Sequence, residues 1–281
     1  MTLLEYEARL KRAGIESARS DVIALAVHVT GMSNASVMAR YRDELKDSDA
    51  AALEAAVRRR EAREPIQYII GKTEFFGDEY IVSPSCLIPR PETEMLVDYG
   101  KSKLTKGDRI ADLCCGSGCI GIALCRHAGV TCDGVDISAD AIGMAEANAR
   151  ALGAEDKVTF HTADVTKGGG LDGGYAMIFS NPPYIVTDVV DTLEPELAYE
   201  PRIALDGGCD GMIFYRSIMD NYGKNLCDGG EFVFEIGYDQ GEAIVREAEL
   251  REYSATVYND YNSLPRMAVV KKISKINSES I

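Results

Sequence analysis

The chain has 281 residues, 46% of them hydrophobic, which is enough for one large or two ordinary domains with a sizeable core. Its formal net charge is −15, and the excess acid follows residue 73, because residues 1–73 carry 12 basic and 11 acidic side chains. A duplex nucleic-acid binder usually has a basic footprint, so we expect no direct nucleic-acid substrate.

Residues 2–64 predict a helical module of four or five helices, because apolar residues recur at helical spacing between turn signals. The first helix is expected to end near Gly14, the second at Gly31 and the last before Pro65. The sequence therefore predicts a small helical N-terminal domain over residues 1–73.

The next segment changes character. Residues 66–83 mix aromatic and β-branched side chains with glycines, a pattern typical of a short β-hairpin, and we expect a hairpin linker over residues 74–90. The run from Pro89 to Glu94 then enters a helix that opens a domain over residues 91–281. Arg90 is a candidate for the wall of a substrate pocket, or else an exposed side chain at a helix start.

From residue 109 onward, strands and helices alternate, which predicts an α/β fold with a mainly parallel, doubly wound sheet. No helix separates the last two strands, so one of them is expected to run antiparallel at the edge of the sheet. The predicted strands are 109–113, 130–135, 158–161, 176–179, 231–236, 254–258 and 267–271, and the predicted helices are 119–128, 138–152, 211–226 and 239–250.

A glycine-containing turn follows the first of these strands, where doubly wound sheets bind ligands. It consists of Cys114, Cys115, Gly116, Ser117 and Gly118. The two glycines allow a ligand to approach the backbone, and the helix that follows offers unpaired N–H groups. The turn is therefore a candidate cofactor site.

Two acidic residues extend that candidate site. Asp136 ends the second strand, 20 residues after Gly116, and is placed to bind ribose hydroxyls, or alternatively to cap helix 138–152. Asp164 follows the third strand and is placed to accept a hydrogen bond from an adenine amino group, with Val165 packed on the ring. Together these residues predict a nucleoside pocket.

The fourth strand runs directly into Asn181, Pro182, Pro183 and Tyr184. Each proline fixes its own φ and holds the residue before it extended, so this backbone is rigid. The Asn181 side-chain carbonyl and the Pro182 main-chain carbonyl become fixed acceptors beside the flat Tyr184 ring. Such a group suits a planar NH2, either a carboxamide or the exocyclic amine of a base, held for attack on an electrophile.

A nucleoside pocket alone also fits a dinucleotide dehydrogenase. Hydride transfer has no need of Asn-Pro-Pro-Tyr after the fourth strand, whereas that run suits an NH2 group held for attack on an electrophile. S-adenosylmethionine is therefore the ligand we predict.

Metal and membrane functions have little support in the sequence. The eight cysteines include no Cys-x2-Cys pair, and the three histidines are widely separated, so no metal site is expected. Five cysteines between residues 114 and 132 indicate free thiols in a reducing cytoplasm. The longest early apolar run, residues 22–29, is too short for a membrane span or a signal region.

Taken together, these motifs resemble the HemK-type protein-(glutamine) methyltransferases, which modify the glutamine of the Gly-Gly-Gln tripeptide in peptide chain release factors. The resemblance covers nearly the whole chain. It is carried by Glu64-Pro65-Ile66-Gln67-Tyr68 with Gly71 and Phe75, Leu87-Ile88-Pro89-Arg90-Pro91-Glu92-Thr93-Glu94, the glycine turn, Asn181 to Tyr184, Glu200-Pro201-Arg202-Ile203-Ala204-Leu205 and Glu235-Ile236-Gly237.

The resemblance implies a seven-stranded methyltransferase domain of Rossmann-like fold and a helical domain for substrate recognition. It implies that the glutamine lies between Asn181, Pro182 and Tyr184, with Pro183 and Arg90 also binding substrate. Class I release factors would be the partners of a cytoplasmic, monomeric enzyme. The implied cofactor contacts are Cys114, Cys115, Gly116, Ser117, Gly118, Asp136, Asp164, Val165 and Asn181.

This sequence departs from the family at the turn, where Cys114 and Cys115 replace the usual Gly and Thr. A positive φ is costly for Cys114, which puts that backbone contact in question. The paired thiols either fill space as small apolar groups or form a redox switch.

Two other functions remain open at this point. One is a methyltransferase acting on an exocyclic amine of a nucleic-acid base, which shares the Asn-Pro-Pro-Tyr motif. The other is a non-catalytic cofactor-binding module that recruits a partner through residues 1–73. The acidic catalytic half argues against the first, and the intact run from Asn181 to Tyr184 argues against the second.

Overall fold

The computed structural model describes residues 1–273, so residues 274–281 of the domain expected over 91–281 lie outside the described residues. The chain divides into two compact units. One comprises Met1–Lys72 with Glu194–Tyr199, and the other comprises Thr73–Leu193 with the residues from Glu200 onward. Each unit has hydrophobic core residues of its own.

Five helices form the first unit, in agreement with the four or five expected. The first begins in a capping box, in which Thr2 Oγ1 accepts from the Glu5 amide at 3.3 Å and the Glu5 carboxylate accepts from the Thr2 amide at 2.7 Å. Gly31 ends the second helix in the left-handed conformation, with φ 68°. The helices are α1 (Leu3–Arg12), α2 (Ala18–Thr30), α3 (Asn34–Ala39), α4 (Asp47–Glu61) and α5 (Ile66–Ile70).

The β-hairpin is shorter than the aromatic and β-branched pattern indicates. It consists of β1 (Lys72–Phe75) and β2 (Asp78–Ile81), and the residues just before it form α5 instead. Ile66, Ile69 and Ile70 have the i, i+3, i+4 spacing of one helix face, and all three pack in or against the core of the helical unit. Burial at helical spacing therefore outweighs the strand propensity of this stretch.

The second unit contains a seven-stranded sheet, as expected. Its strands are β3 (Arg109–Leu113), β4 (Thr131–Asp136), β5 (Val158–Thr162), β6 (Tyr175–Ser180), β7 (Leu226–Glu235), β8 (Tyr253–Asn259) and β9 (Pro265–Lys272). Its helices are α6 (Glu94–Lys103), preceded by a 3-10 turn at Pro91–Thr93, then α7 (Cys119–His127), α8 (Ala139–Ala151), α9 (Thr187–Val190), α10 (Ile213–Tyr222) and α11 (Gly241–Glu249).

The strand order is β5-β4-β3-β6-β7-β9-β8, and β9 is antiparallel to both of its neighbours. The expectation of an antiparallel strand at the edge is therefore wrong in its position. The chain crosses from β7 through α11 to β8 at the edge, and β9 then returns by a hairpin into the gap between them. Because β9 has neighbours on both sides, its central residues are buried.

The register brings the ends of three strands together. Leu113 of β3 pairs with Val135 of β4 on one side and with Ser180 of β6 on the other, and all three strands are parallel. The turn after β3, Asp136 and Asn181 therefore emerge at the same edge of the sheet. Among the described helices, none is long and apolar enough to cross a membrane.

Candidate active site

A cavity of about 290 Å³ opens at this edge of the second unit. Its wall includes residues from the turn after β3, from the ends of β4 and β6, and from the segments that follow β5 and α9. Of the predicted site residues, the cavity is lined by Cys114, Cys115, Gly116, Ser117, Asp136, Asp164, Val165, Asn181 and Pro183. Gly118, Pro182, Tyr184 and Arg90 are not among its lining residues.

The turn after β3 is strained at the position where the family has glycine. Cys114 adopts φ 58°, in the left-handed region, which costs an L-residue about 1–2 kcal/mol. Gly116 has φ 53°, and a Cβ built on it would meet nothing within 4 Å, so its backbone faces open space. The chain thus keeps the backbone path of a glycine turn despite the cysteine.

Gly118 serves the packing of this turn. A Cβ there would lie 3.0 Å from Ile122 Cδ1 and 3.1 Å from Ala145 Cβ. Gly121 completes a Gly-x-Gly-x-x-Gly spacing with Gly116 and Gly118, and its Cβ would lie 2.6 Å from Cys132 Sγ. Dinucleotide-binding folds share that spacing, so the glycines alone do not distinguish a dehydrogenase. The antiparallel β9 does, because it departs from the strand order 3-2-1-4-5-6 of those folds.

Asp136 joins the turn to the helix that follows β4. One carboxylate oxygen accepts from the Gly116 amide at 2.9 Å and the other from the Ser138 amide at 2.9 Å. Ser138, and not Asp136, caps α8 through its side chain. Burial raises the Asp136 pKa, and the hydrogen bonds from these amides oppose that rise. A carboxylate has about four acceptor positions, and backbone amides, that of Ile137 included, use three of them, so one remains for a ribose hydroxyl.

Asp164 and its neighbours form another part of the cavity wall. One Asp164 oxygen accepts from the Thr166 amide at 2.9 Å and from its hydroxyl at 2.6 Å, and the other lies 3.0 Å from Lys167 Nζ. The hydrogen bond from the Thr166 hydroxyl, followed by that from Lys167, lowers the Asp164 pKa. Val165 is buried, and Ile137 and Phe214 add apolar surface to the same cavity.

The Asn181 carboxamide has a defined orientation. Its Nδ2 donates to Thr93 Oγ1 at 3.3 Å, and Thr93 Oγ1 donates in turn to Glu235 Oε2 at 2.6 Å. Since the Thr93 proton is directed to the carboxylate, its oxygen presents an acceptor to Asn181, which must offer its NH2 end. No group in the described chain donates to Asn181 Oδ1, so this oxygen remains an available acceptor.

The segment Asn181 to Tyr184, called the elbow below, is held in place through contacts of its backbone. The Tyr184 carbonyl accepts from Gln240 Nε2 at 3.0 Å, and a Cβ on Gly207 would lie 2.7 Å from Tyr184 Cα. A Cβ on Gly211 would lie 2.4 Å from the Tyr184 carbonyl oxygen. The Tyr184 hydroxyl donates to Glu235 Oε1 at 3.4 Å, and burial, followed by the charge of Glu235, raises the Tyr184 pKa. Tyr184 is therefore held at both its backbone and its ring.

Arg90 fastens the segment before α6 to the loop that follows α9. Its guanidinium pairs with Glu200 Oε1, and Glu200 Oε2 accepts from the Ile88 amide at 3.0 Å. The Glu200 side chain is only 2% exposed. Pro89 and Pro201, next to this pair, line the cavity. The contacts of Arg90 are thus those of a residue that joins two parts of the wall.

Sequence reasoning missed two residues behind the elbow. Thr93 is 2% exposed and lines the cavity, and Glu235 is 2% exposed at the end of β7. Both lie in motifs that carried the family resemblance, but a Thr in a helix start and a Glu after an apolar strand have ordinary structural explanations. Only the folded chain shows that they meet.

The cysteines around the cavity have the character of packing residues. Burial raises the pKa of the Cys114, Cys115 and Cys119 thiols, so they carry little of the reactive thiolate form. The described chain contains eight free cysteines, and no group of His, Cys, Asp or Glu within residues 1–273 has the arrangement of a metal site.

The groups that line the cavity are suited to binding S-adenosylmethionine. The Asp136 carboxylate retains an acceptor position, the Gly116 backbone faces open space, and Ile137, Val165 and Phe214 supply apolar surface for a base. Asn181 belongs to the wall of the same cavity. A nucleoside-bearing methyl donor and an acceptor for an NH2 group can therefore meet in one space.

The chain is similar to known proteins over most of its length. The family model "PrmC N-terminal domain" matches residues 2–71, and "Methyltransferase small domain" matches residues 91–199. A protein of Geobacter sulfurreducens named release factor glutamine methyltransferase is 38% identical over 240 residues, which cover 84% of this chain and 83% of that protein. A protein of Rhodospirillum rubrum with the same name is 40% identical over 238 residues, covering 84% and 72%.

Solved structures are similar in fold. The hMettl16 catalytic domain, in complex with the MAT2A 3′UTR hairpin 1, has a TM-score of 0.58 at 14% identity, covering 82% of each chain. A methyltransferase from Pyrococcus furiosus has a TM-score of 0.54 at 17% identity, covering 71% of this chain and 91% of its own. These likenesses show a methyltransferase fold.

Proposed function

This chain belongs to the family of release factor glutamine methyltransferases, and from that premise we propose how its own residues perform the reaction. It is an S-adenosylmethionine-dependent methyltransferase that methylates a glutamine of a peptide chain release factor. The glutamine is the one in the Gly-Gly-Gln tripeptide of class I release factors, and the methyl group goes to its side-chain amide nitrogen.

One observation supports this assignment above the others. Asn181 and Pro183 line the same cavity as Gly116 and Asp136, so the acceptor elbow and the candidate nucleoside site share one space. If the elbow faced a separate surface, it could not present a nitrogen to a methyl group held at the turn. The arrangement favours an enzyme over a module that only holds a cofactor.

The cofactor residues divide by the part of the ligand that each contacts. Cys114, Cys115, Gly116, Ser117 and Gly118 form the backbone turn that approaches the ligand. Asp136 binds the ribose, and Asp164 with Val165 binds the adenine. When bound, S-adenosylmethionine supplies a methyl group on a sulfonium sulfur that leaves with the electron pair of the broken bond.

The elbow positions the substrate nitrogen. Asn181 Oδ1 and the Pro182 carbonyl accept the two N–H groups of the glutamine amide, and the Tyr184 ring, with Pro183, holds the amide plane. These hydrogen bonds strengthen as positive charge grows on the nitrogen, so they stabilise the transition state more than the ground state. As the nitrogen gains the methyl group it gives up one of its two protons to solvent water, because an N-protonated amide is strongly acidic. No strong base is required before the attack.

The remaining assignments concern the whole chain. Residues 1–73 form the domain that recognises the release factor, residues 74–90 the hairpin linker, and residues 91–281 the catalytic domain. Arg90 supports the substrate side of the wall through its pairing with Glu200. The enzyme acts as a monomer in the cytoplasm and does not take nucleic acid as a substrate.

The test uses the full chain, labelled S-adenosylmethionine and three candidate substrates. These are a class I release factor, the same factor with its tripeptide glutamine replaced by alanine, and an RNA. We expect label only in the unaltered factor. We expect Asn181→Ala to lower kcat by more than the factor of about 13 that corresponds to 1.5 kcal/mol, the upper value for an average hydrogen bond.

Cofactor affinity is the control for that variant. Binding of S-adenosylmethionine to Asn181→Ala, measured by calorimetry, shows whether the site remains folded. Label in the RNA arm would favour the base methyltransferase, and a wild-type rate in Asn181→Ala would remove the proposed role of this residue.

A further inference from the structure

A buried pair of residues behind the elbow has no part in the function proposed so far. Thr93 precedes α6 and Glu235 ends β7, and each side chain is about 2% exposed. Thr93 Oγ1 lies 2.6 Å from Glu235 Oε2, and Asn181 Nδ2 lies 3.3 Å from Thr93 Oγ1. A continuous series of hydrogen bonds therefore runs from a buried carboxylate to the carboxamide of Asn181, a residue that lines the cavity.

We propose that Thr93 and Glu235 are positioning residues that fix which end of the Asn181 carboxamide faces the substrate. This inference rests on the proposed function, in which Asn181 Oδ1 accepts an N–H of the substrate amide. An unrestrained asparagine can rotate its amide by a half-turn, and the NH2 group would then oppose the NH2 of the glutamine. Two donors cannot hydrogen-bond to each other.

The direction of the hydrogen bonds follows from the carboxylate. An ionised carboxyl group only accepts, so the Thr93 hydroxyl must donate to it. The Thr93 oxygen is then left as an acceptor, and only the NH2 end of Asn181 can satisfy it. While Glu235 is ionised, the Asn181 oxygen is consequently directed away from Thr93.

The surroundings of Glu235 keep this carboxyl in place. Tyr184 donates its hydroxyl to Glu235 Oε1 at 3.4 Å, and Tyr215 donates its hydroxyl to the Glu235 main-chain carbonyl at 2.8 Å. The charged groups that act on it are Arg266 of β9 and Glu92 of the 3-10 turn. Glu235 therefore joins both ends of the elbow, through Thr93 to Asn181 and directly to Tyr184.

Protonation of Glu235 would exchange the donor and acceptor roles along this series of hydrogen bonds. A neutral carboxyl can donate to Thr93, whose own proton is then free to donate to Asn181 Oδ1 and turn the amide. Burial raises the Glu235 pKa to about 7, within the range where an enzyme assay is practical. We therefore expect kcat to fall as the pH decreases through this range.

The matched pair Thr93→Val and Thr93→Ser tests the orientation. Valine has nearly the shape of threonine but no hydroxyl, whereas serine retains the hydroxyl. We expect Thr93→Val to lower kcat by roughly 10-fold or more, as for a buried partner left unsatisfied, and Thr93→Ser to remain within about 3-fold of the wild type. The Kd of S-adenosylmethionine, measured by calorimetry, should change less than 3-fold in both.

Glu235→Gln supplies a second readout. Its amide oxygen can still accept from Thr93, but the group does not titrate. We expect kcat near the wild-type plateau and a loss of the decrease at low pH. Equal kcat for Thr93→Val and wild type, equal loss in the valine and serine variants, or an unchanged pH profile in Glu235→Gln would each overturn the proposal.

Asn181→Ala, measured in parallel, separates the two levels of inference. If that variant loses activity while Thr93→Val keeps it, the positioning role fails and the proposed function stands. If Asn181→Ala keeps activity, the proposed role of the elbow itself fails.

Discussion

Cys114 shows that one residue can keep a backbone path for which its side chain is unsuited. Its φ of 58° lies where glycine is normally favoured, yet the turn still lines the cavity through Cys114, Cys115 and Gly116. Cys114 is half-buried and packs against the hydrophobic core of its unit, and desolvation raises the pKa of its thiol, so it contributes packing without reactivity. The strain is therefore offset locally by contacts that glycine would lack.

Substitutions at Cys114 follow from this balance. A β-branched residue at positive φ is a genuine outlier, so we expect Cys114→Val to lower the free energy of unfolding by more than about 1 kcal/mol. Cys114→Gly removes the strain but adds about 0.5–1 kcal/mol of chain entropy, and it should lie near the wild type. Urea unfolding followed by circular dichroism measures both. Equal stability of the valine and glycine variants would contradict the strain argument.

Asn181 and Thr93 illustrate a different point at the residue scale. The sequence identifies Asn181 from its own proline neighbours, because stiffness is a local property. It does not identify the partner that orients the carboxamide, since Thr93 lies 88 residues earlier along the chain. Such partners are found only when the fold brings them within hydrogen-bond distance.

Among the elements, the segment after the elbow acts as its support. Ile185 forms a bridge with Asp206, and the Gly207 amide donates to the Ile185 carbonyl at 2.7 Å. Gly207 lies so close to the elbow that a Cβ there would be 2.8 Å from the Pro183 carbonyl oxygen. This loop therefore sets the position of the elbow through backbone contacts.

Gly207→Ala should displace that elbow. The atoms that the new methyl group meets belong to the backbone of Pro183 and Tyr184 and cannot rotate away. A displacement near 1 Å at a catalytic group can cost about 100-fold in rate, and we expect a loss of that order in kcat. A coupled assay with a release factor as substrate measures it.

Gly143→Ala is the matched control for that substitution. Gly143 is an exposed residue inside α8, and a Cβ there would meet nothing within 4 Å. We expect unchanged kcat and a gain of about 0.8–1.0 kcal/mol in stability from helix propensity. A wild-type kcat in Gly207→Ala would show that the loop tolerates the methyl group without moving the elbow.

At the scale of the whole molecule, the buried carboxyl groups govern the pH dependence of stability. Burial raises the pKa of both Asp112 and Glu235 to about 7, above their ordinary values of 3.8 and 4.5. Groups whose pKa the fold raises contribute stability below the unfolded-state pKa and lose it as the pH rises through the folded-state pKa. Asp136, whose pKa burial also raises, adds in the same direction.

We therefore expect the free energy of unfolding to fall between about pH 4, near the unfolded-state pKa values, and about pH 7, the folded-state value. Each unit of pKa difference corresponds to about 1.4 kcal/mol at most, and carboxylates with lowered pKa, such as Asp164, act mainly below this range. Glu235→Gln removes one titrating group and should reduce the decrease. Urea unfolding of both proteins at several pH values measures the difference, and parallel curves would refute the assignment to Glu235.

Much of this fold could be predicted from the sequence, because its elements have strong local patterns. The seven strands from 109 onward were each expected within a few residues of their observed bounds, except that β7 begins earlier, at Leu226. The position of β9 in the sheet cannot be predicted in the same way, since two consecutive strands without a helix between them predict only a hairpin. Whether that hairpin extends the edge or fills a gap depends on how far α11 crosses the sheet.

The sequence by itself determined the elements and the chemistry of this protein. Proline stiffness, glycine turns and the period of apolar residues are properties of neighbouring residues, and they are sufficient to predict the elbow, the turn after β3 and Asp136. The tertiary structure alone decided which distant groups meet, because burial and hydrogen bonding between Thr93, Asn181 and Glu235 depend on three separate elements reaching one point.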